Sequence, residues 1–257
     1  MNSLHGRRIL NTRAGHQASS LSYAIEQRGG ISIEIPLISM QSPNNKLERV
    51  EKLDDLLHSD WIIFTSVNSV YFTYEVLVEE GFYPEKVIGT KKLAAVGEKT
   101  KELIEQKGFI VDLCPDKHFD AEHLAKLLIE STTIEDIFFY PRSSQSRKVI
   151  VEALTKTGRV IHEMVVYETV YCDKYADKLN QLLKKKQVDI VICTSPSTVN
   201  SFFEQLEKNL LPYVRSELMF AVIGRVTADA LSRYDVEKVL VPEKFTIDEV
   251  LFMLEGL

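Results

Sequence analysis

Two short stretches, Asp60-Trp-Ile-Ile-Phe-Thr-Ser66 and Asp189-Ile-Val-Ile-Cys-Thr-Ser195, decide the fold of this chain. In each stretch an aspartate precedes an unbroken apolar run, and a threonine and a serine follow it. Short continuous apolar runs are typical of strands that are buried on both faces of a parallel sheet. A helical pattern follows each stretch, at about residues 68–80 and 198–209. Each stretch therefore opens a strand–helix unit.

The two stretches belong to an internal repeat. Four pairs of positions share nearly the same offset: residues 60 and 189 (129 positions), Arg13 and Arg142 (129), Gly97 and Gly224 (127), and Pro115 and Pro242 (127). An offset that stays nearly constant at four places indicates a duplicated α/β unit of about half the chain.

The fold class follows from this alternation of strands and helices. Two further apolar runs, at 93–96 and 137–140, precede helical patterns at about 98–107 and 146–157. We therefore predict two similar doubly wound parallel-sheet α/β domains. The segments 35–43 and 165–171 occupy equivalent places in the repeat, and both are candidate connections between the domains.

Two connections would make one domain discontinuous. The predicted domains are residues 1–37 with 171–257, and an inserted domain of residues 38–170. The connecting strands are expected near residues 35–40 and 165–171.

Composition excludes several classes of protein. The 257 residues carry a net charge of −6, which disfavours a generally basic surface for nucleic acid. No apolar run approaches the ~20 residues of a membrane helix, and none near the N-terminus resembles a secretory signal. We expect a cytoplasmic protein without nucleic-acid or membrane partners. Three widely spaced cysteines and the spacing of the six histidines predict neither a disulfide framework nor a metal site.

Small polar residues, glycines and arginines collect where the predicted strands end and the next segments begin. In open parallel sheets ligands bind at this edge, and helix N-termini there offer free N–H groups to anions. The pattern predicts a ligand with several carboxylates. The candidate binding residues are Thr12, Arg13, Ser66, Asn68, Gly97, Thr100, Arg142, Ser143, Ser195, Ser197, Gly224 and Thr227.

Each of these residues also has a purely structural interpretation. Ser66 and Ser195 are suited to plain helix N-caps, and Gly97 and Gly224 to tight turns between strand and helix. The arginines are equally suited to the solvated surface. Sequence patterns alone leave both interpretations open.

Six blocks, taken in order along the chain, resemble the uroporphyrinogen-III synthases. They are Thr12-Arg13, residues 61–70, Ala95-Val-Gly-Glu-Lys-Thr100, Val166-Tyr-Glu-Thr169, Cys193-Thr-Ser-Pro-Ser197 and residues 223–231. Their order and spacing agree with the family over nearly the whole chain. One departure is the segment Gly224-Arg225-Val226, where many relatives carry a proline, which affects the shape of the loop before Thr227.

The resemblance implies a fold and a reaction. The fold would be two HemD-like, flavodoxin-like domains joined by a two-stranded β-ladder. The substrate would be hydroxymethylbilane, a linear tetrapyrrole with eight carboxylates, bound in the cleft between the domains. The product would be uroporphyrinogen III, formed without a cofactor by loss of water and inversion of ring D. An azafulvene and a spiro compound would be the intermediates of this step in tetrapyrrole biosynthesis.

The resemblance also implies roles for residues. Tyr167 is the catalytic candidate, since a phenol is protonated at neutral pH and can donate a hydrogen bond to the departing hydroxyl. Thr100 and Thr227 match the family's cleft threonines and would bind carboxylates or the departing group. The family suggests a monomer, with hydroxymethylbilane synthase as the partner that hands over the substrate.

A duplicated α/β chain also suggests two other classes of function. A two-domain binding protein for a small anion would have a similar layout, with Tyr167 in a structural role. A regulatory pair of domains that bind flavin or phosphate is disfavoured, because the chain has neither an acidic phospho-acceptor cluster nor glycine-rich phosphate loops.

Overall fold

The structure is a computed structural model that describes residues 3–14 and 16–256, without the side chains of residues 16 and 46–48. Contacts divide the chain into two compact units, Met1–Met40 with Val170–Leu257, and Gln41–Thr169. They are called unit 1 and unit 2. The sequence places these boundaries at 37/38 and 170/171, and the contacts place them at 40/41 and 169/170.

Strands and helices alternate along the chain. The strands are β1 (Arg8–Asn11), β2 (Ile31–Glu34), β3 (Ile38–Gln41), β4 (Trp61–Phe64), β5 (Lys92–Ala95), β6 (Ile137–Ser143), β7 (Val160–Tyr171), β8 (Ile190–Cys193), β9 (Met219–Val222) and β10 (Val239–Leu240). The helices are α1 (His16–Gln27), α2 (Lys46–His58), α3 (Val67–Glu79), α4 (Pro84–Ile88), α5 (Glu98–Gln106), α6 (Ala121–Ser131), α7 (Val149–Lys156), α8 (Ala176–Lys184), α9 (Pro196–Glu204), α10 (Leu211–Ser216), α11 (Arg225–Ser232) and α12 (Ile247–Glu255).

The described strands form two five-stranded sheets. The sheet of order β10-β9-β8-β1-β2 lies in unit 1, and the sheet of order β3-β7-β6-β4-β5 takes most of its strands from unit 2. Every strand pair with an assigned register is parallel. The repeat relates β8, β9, β1 and β2 to β4, β5, β6 and β7, so these four strands have the same order in both sheets. The fifth strands differ, because β10 lies beside β9 and β3 lies beside β7. These sheets confirm the predicted fold class.

The chain passes between the units within β3 and within β7, which are neighbours at one edge of the second sheet. The twelve residues of β7 form one continuous strand, so the crossing segment at 165–171 is a strand for its whole length.

The apolar strands are buried on both faces, as their composition predicts. In β8, Val191 and Cys193 pack into one hydrophobic cluster, and Ile190 and Ile192 pack into another on the opposite face. All four residues of β4 are also buried. Since successive side chains of a strand point to opposite faces, helices must cover both sides of each sheet.

The aspartate that opens each repeat stretch joins two neighbouring strands. The Asp60 carboxylate accepts the backbone N–H of Ile137 at the start of β6 (2.9 Å). The Asp189 carboxylate accepts the backbone N–H of Arg8 at the start of β1 (2.7 Å). Arg8 also donates two guanidinium hydrogen bonds to Asp189, of 2.6 and 3.0 Å. The repeated aspartate is therefore a structural feature of the sheet.

This contact predicts a loss of stability in acid. Hydrogen bonding by the Arg8 side chain holds the pKa of the Asp189 carboxyl below its ordinary value. The stabilisation is therefore present above the unfolded pKa, near ~3.9, and is lost as pH falls through the folded pKa. We expect Asp189→Asn to lower Tm at pH 7, and the difference from wild type to shrink as pH falls below about 4.

Thermal unfolding between pH 3 and pH 7 measures this effect. Glu207→Gln is the matched control, because Glu207 forms an exposed ion pair with Lys184 and such pairs contribute little. A Tm difference for Asp189→Asn that does not change with pH would contradict the assignment.

Two helices differ from their predicted bounds. The predicted helix at 146–157 begins at Val149, because the Ser146 hydroxyl accepts the N–H of Ser143 and makes a turn first. The predicted helix at 198–209 begins earlier, at Pro196, since Ser195 caps it. It ends at Glu204, and residues Lys208–Leu210 form a separate 3₁₀ turn.

No described helix combines the length and the apolar composition that are needed to cross a bilayer.

Candidate functional site

The carboxyl ends of the parallel strands in unit 2 bring several predicted residues to one edge of the sheet. Ser66 follows β4, Gly97 follows β5, and Arg142 and Ser143 end β6. Strands β4, β5 and β6 are adjacent and parallel, so their carboxyl ends share an edge. This is the edge at which open α/β sheets bind ligands.

Tyr167 reaches the same edge on β7. The pairing of β6 with β7 shifts register between Arg142 and Ser143, and Tyr167 is the residue that pairs with Ser143. The backbone carbonyl of Tyr167 then accepts the N–H of Ser144 (3.0 Å). The irregularity is a β-bulge, a device that re-aims side chains at the ends of strands.

Two side chains hold Tyr167. Its phenol oxygen lies 3.2 Å from the Ser66 hydroxyl, and its ring stacks on Phe72 with centroids 5.2 Å apart and planes 19° apart. Tyr167 is only 8% exposed. The phenol is therefore fixed in place, with a small part of its surface open at the edge of the sheet.

Ser66 and Ser195 are helix N-caps, as their structural interpretation requires. Ser66 accepts the N–H of Ser69 (3.0 Å), and Ser195 accepts the N–H of Thr198 (3.3 Å). Each belongs to a reciprocal capping box. The Ser195 hydroxyl also lies 2.9 Å from the Ser197 hydroxyl.

Asn68 stands in the first turn of α3, at the position that the repeat relates to Ser197. Both Asn68 and Ser197 are partly exposed, so both side chains reach the surface at this edge.

Thr100 and Thr227 occupy equivalent positions in the first turns of α5 and α11. They are 5% and 4% exposed, and neither hydroxyl makes a hydrogen bond to any other residue that the structure describes. Neither oxygen is among the fully buried side-chain atoms that lack a partner in the described structure, so both hydroxyls are accessible to a ligand. No side chain caps α5 or α11 within the described residues, so backbone N–H groups are also available there.

The glycines before these helices leave space for aromatic rings. At Gly97 and Gly224 the backbone is extended, with φ of −151° and 179°, so neither position requires the positive φ that favours glycine. A Cβ on Gly224 would lie 3.1 Å from the Phe245 ring, and one on Gly97 would lie 3.5 Å from Cβ of Phe119. Both phenylalanines are more than half exposed.

Sequence patterns did not single out Phe72, Phe119 or Phe245. The repeat carries a signal for the last two, since Phe119 and Phe245 are 126 positions apart and follow the repeated prolines, Pro115 and Pro242.

The two repeated arginines have different surroundings. Arg142 forms an ion pair with Glu163 of the neighbouring strand, with Nε 2.6 Å from the carboxylate oxygen but without hydrogen-bond geometry, and it donates to the Ser143 carbonyl (3.0 Å). Arg13 donates to the Gln17 amide oxygen (2.8 Å), its Nε is buried without a partner, and no described carboxylate pairs with it. Burial lowers the pKa of Arg13 from its ordinary value of 12.5. Arg13 remains a cation at neutral pH, without a counterion among the residues described.

Two of the predicted binding side chains are already engaged within the protein. Thr12 is fully buried, and its hydroxyl donates to the backbone carbonyl of Ile192 (2.7 Å). The hydroxyl of Ser143 accepts the N–H of Gln145 (3.1 Å) and closes a turn. The structure therefore directs the Thr12 side chain into the core and uses the Ser143 side chain to shape its loop.

Two of the cysteines are poor candidates for thiol chemistry. Burial raises the pKa of Cys193 to about 12, and burial also raises the pKa of Cys114. Both thiols are therefore protonated at neutral pH and weakly nucleophilic. Within the described part of the chain, no group of three or more His, Cys, Asp and Glu side chains is arranged to hold a metal ion.

Comparison with known proteins identifies relatives over the whole chain. The sequence model of a family described as "Uroporphyrinogen-III synthase HemD" matches residues 19–251. A Synechococcus elongatus protein named "Uroporphyrinogen-III synthase" is 26% identical over 259 residues, which is 98% of this chain and 96% of that protein. A Ruminiclostridium josui "Porphyrin biosynthesis protein HemD" is 25% identical over 96% of this chain, but the chain spans only 48% of its length.

The fold has a counterpart among solved structures. A crystal structure of "uroporphyrinogen-III synthetase" from Helicobacter pylori superposes with a TM-score of 0.64, at 17% identity, over 97% of this chain and 98% of that chain. At this identity the likeness concerns the fold.

Proposed function

We propose that this chain, which belongs to the uroporphyrinogen-III synthase HemD family, closes hydroxymethylbilane to uroporphyrinogen III with inversion of ring D. Its family membership makes it an enzyme of tetrapyrrole biosynthesis, a cyclising lyase. The observation that carries the finer proposal is the fixed phenol of Tyr167, at the same edge of unit 2 as an uncapped helix N-terminus.

Carboxylate binding is assigned mainly to donors whose hydrogen-bonding or charge requirements are not met by the described residues. The first turns of α5 and α11 offer backbone N–H groups, and Thr100 and Thr227 add a hydroxyl to each. Arg13 adds a cation without a counterion among the described residues. Helix N-termini and unpaired cations favour carboxylates, of which the proposed substrate has eight. Asn68, Ser195, Ser197 and the backbone at Gly97 and Gly224 complete the proposed contacts.

Tyr167 is assigned to the loss of the terminal hydroxyl. As the carbon–oxygen bond breaks, its electron pair stays on oxygen, and the pyrrole nitrogen supplies electrons to the methylene carbon. A hydrogen bond from the phenol to the leaving oxygen stabilises this charge, and the oxygen departs as water once it has received the proton that the pyrrole N–H gives up. The organic product of this step is an azafulvene.

Ring inversion follows from where the azafulvene reacts. Its methylene carbon bonds to the substituted carbon of ring D, which gives a spiro intermediate. The older bond at that carbon then breaks, and the released methylene bonds to the free carbon of ring D, which loses a proton. The net change is the loss of one water molecule. Holding the flexible chain in this geometry is the main contribution of the binding groups.

The turnover of the linear substrate tests the activity. We expect purified protein, without added cofactor, to consume freshly made hydroxymethylbilane well above its spontaneous rate of closure. A rate equal to the spontaneous rate, with a folded sample, would contradict the proposal and favour an anion-binding protein.

The two repeated arginines give a matched pair of variants. We expect Arg13→Met to raise KM about 10- to 100-fold with little change in Tm, because it removes a charge-assisted contact to a carboxylate. Arg142→Met leaves Glu163 without its cation, so we expect mainly a lower Tm. Steady-state kinetics and thermal unfolding of both variants measure this contrast. Equal KM values for Arg13→Met and wild type would remove Arg13 from the binding groups.

A further inference from the structure

We infer that Ser66 is a positioning residue that donates a hydrogen bond to the Tyr167 phenol oxygen and so turns the phenol proton towards the substrate. The inference rests on the proposed role of Tyr167. It gives Ser66 a second function beyond its helix cap, in place of the direct substrate contact that its sequence position suggests.

The directions of the hydrogen bonds around Ser66 support this assignment. The Ser66 hydroxyl oxygen accepts the Ser69 N–H at 3.0 Å, and the Ser69 hydroxyl donates to the Ser66 carbonyl at 2.7 Å. No hydrogen bond joins the Ser66 and Ser69 hydroxyls among the described residues, and the Ser69 oxygen receives the Ser66 N–H (3.3 Å). Among the described residues, the phenol oxygen of Tyr167, 3.2 Å away, is the acceptor left for that proton.

The opposite direction of this hydrogen bond, from Tyr167 to Ser66, would leave the Ser66 proton without an acceptor among the described residues. The phenol could then only accept from a ligand. If Ser66 donates, the chain runs from the Ser69 N–H through Ser66 to Tyr167, and the phenol proton is free for the departing hydroxyl. Such chains polarise their members, and this one begins at the positive end of α3.

Phe72 fixes the orientation of the Tyr167 ring. Stacking at 5.2 Å and 19° holds the plane of the phenol ring, while the Ser66 contact sets the direction of its O–H group. The ring and the hydroxyl are thus positioned by one helix, through its N-cap Ser66 and through Phe72 in its second turn.

Unit 1 shows that a serine can cap the equivalent helix without contacting a tyrosine hydroxyl. Ser195 makes the same capping box as Ser66, but its hydroxyl lies against the hydroxyls of Ser197 (2.9 Å) and Thr198 (3.4 Å) instead of a phenol. The position 129 residues before Tyr167 is Ile38, which is buried. The repeat therefore supplies a matched control: Ser195→Ala removes an equivalent helix cap and leaves the surroundings of Tyr167 intact.

The test combines kinetics with a spectroscopic probe of the phenol. Protein labelled with ¹³C at tyrosine Cζ gives ten tyrosine signals, and Tyr167→Phe identifies the one that belongs to Tyr167. We expect Ser66→Ala and Ser66→Gly to shift this signal and to lower kcat about five- to tenfold, with KM nearly unchanged. Ser66→Thr should restore both values, because it retains the hydroxyl.

The variants separate this effect from folding. Glycine is a tolerated N-cap, so Ser66→Gly stays folded even if Ser66→Ala is destabilised. Ser195→Ala should lower Tm about as much as Ser66→Ala and leave the Tyr167 signal in place. Wild-type kcat in Ser66→Ala and Ser66→Gly, or an unshifted Tyr167 signal, would overturn the inference. Wild-type turnover by Tyr167→Phe would instead remove the proposed role of Tyr167, and this inference with it.

Discussion

Replacing Tyr167 by phenylalanine is expected to lower kcat about 10²- to 10⁴-fold, the range in which a positioned proton donor contributes to catalysis. The substitution removes one oxygen and keeps the ring, so the stacking on Phe72 is retained. Because only the hydroxyl is lost, KM should stay within about threefold of wild type if binding depends on other groups.

Tyr140→Phe is the control for this variant. Tyr140 is a buried tyrosine of the same unit, and its hydroxyl lies 3.3 Å from that of Thr65. Tyr140→Phe therefore removes a comparable hydroxyl–hydroxyl contact, and we expect its kcat to remain near wild type. Equal kcat values for the two variants would contradict a special role for Tyr167. Single-turnover kinetics, which follow the chemical step, are the suitable measurement.

The second large effect is expected from the two threonines together. Thr100→Val and Thr227→Val should each lower kcat/KM about tenfold, and the double variant about 100-fold, since each removes one hydrogen bond to a charged ligand. Tm should stay the same or rise slightly. In the described structure neither hydroxyl has a partner, so a methyl group of the same shape costs no internal hydrogen bond.

Thr73→Val provides the contrast. Thr73 is equally buried, but its hydroxyl donates to the Ser69 carbonyl (2.6 Å). We expect this variant to lose stability and to keep its kcat/KM. If the threonine double variant instead lost stability and retained wild-type kcat/KM, the hydroxyls would be structural groups.

The repeat made much of the fold predictable. The strand runs at Trp61 and Ile190 are local signals, and the order of elements around them fixes parallel sheets with helices on both faces. The exact helix starts depended on side-chain hydrogen bonds, such as the one that the Ser146 hydroxyl accepts from the Ser143 N–H. The bulge beside Tyr167 was not predictable, because it arises from the pairing of two strands rather than from either sequence alone.

The sequence predicted where the candidate site residues lie along the strands and helices. It did not predict most of their hydrogen-bond and ion-pair partners. Thr100 and Thr227 could be placed at helix starts because the repeat relates them. The difference between Arg13 and Arg142 could not be predicted, because it depends on Glu163, which lies on the neighbouring strand. The contact of Tyr167 with Ser66 joins residues 101 positions apart, so no local pattern carries it.

The most direct test of the proposed function is the isomer of the product. Freshly generated hydroxymethylbilane would be incubated with purified protein and no added cofactor, and the oxidised products would be separated into uroporphyrin I and uroporphyrin III. Spontaneous closure gives type I, so we expect wild-type protein to shift the product to type III. A product that remains type I, from a folded sample, would contradict the proposed function.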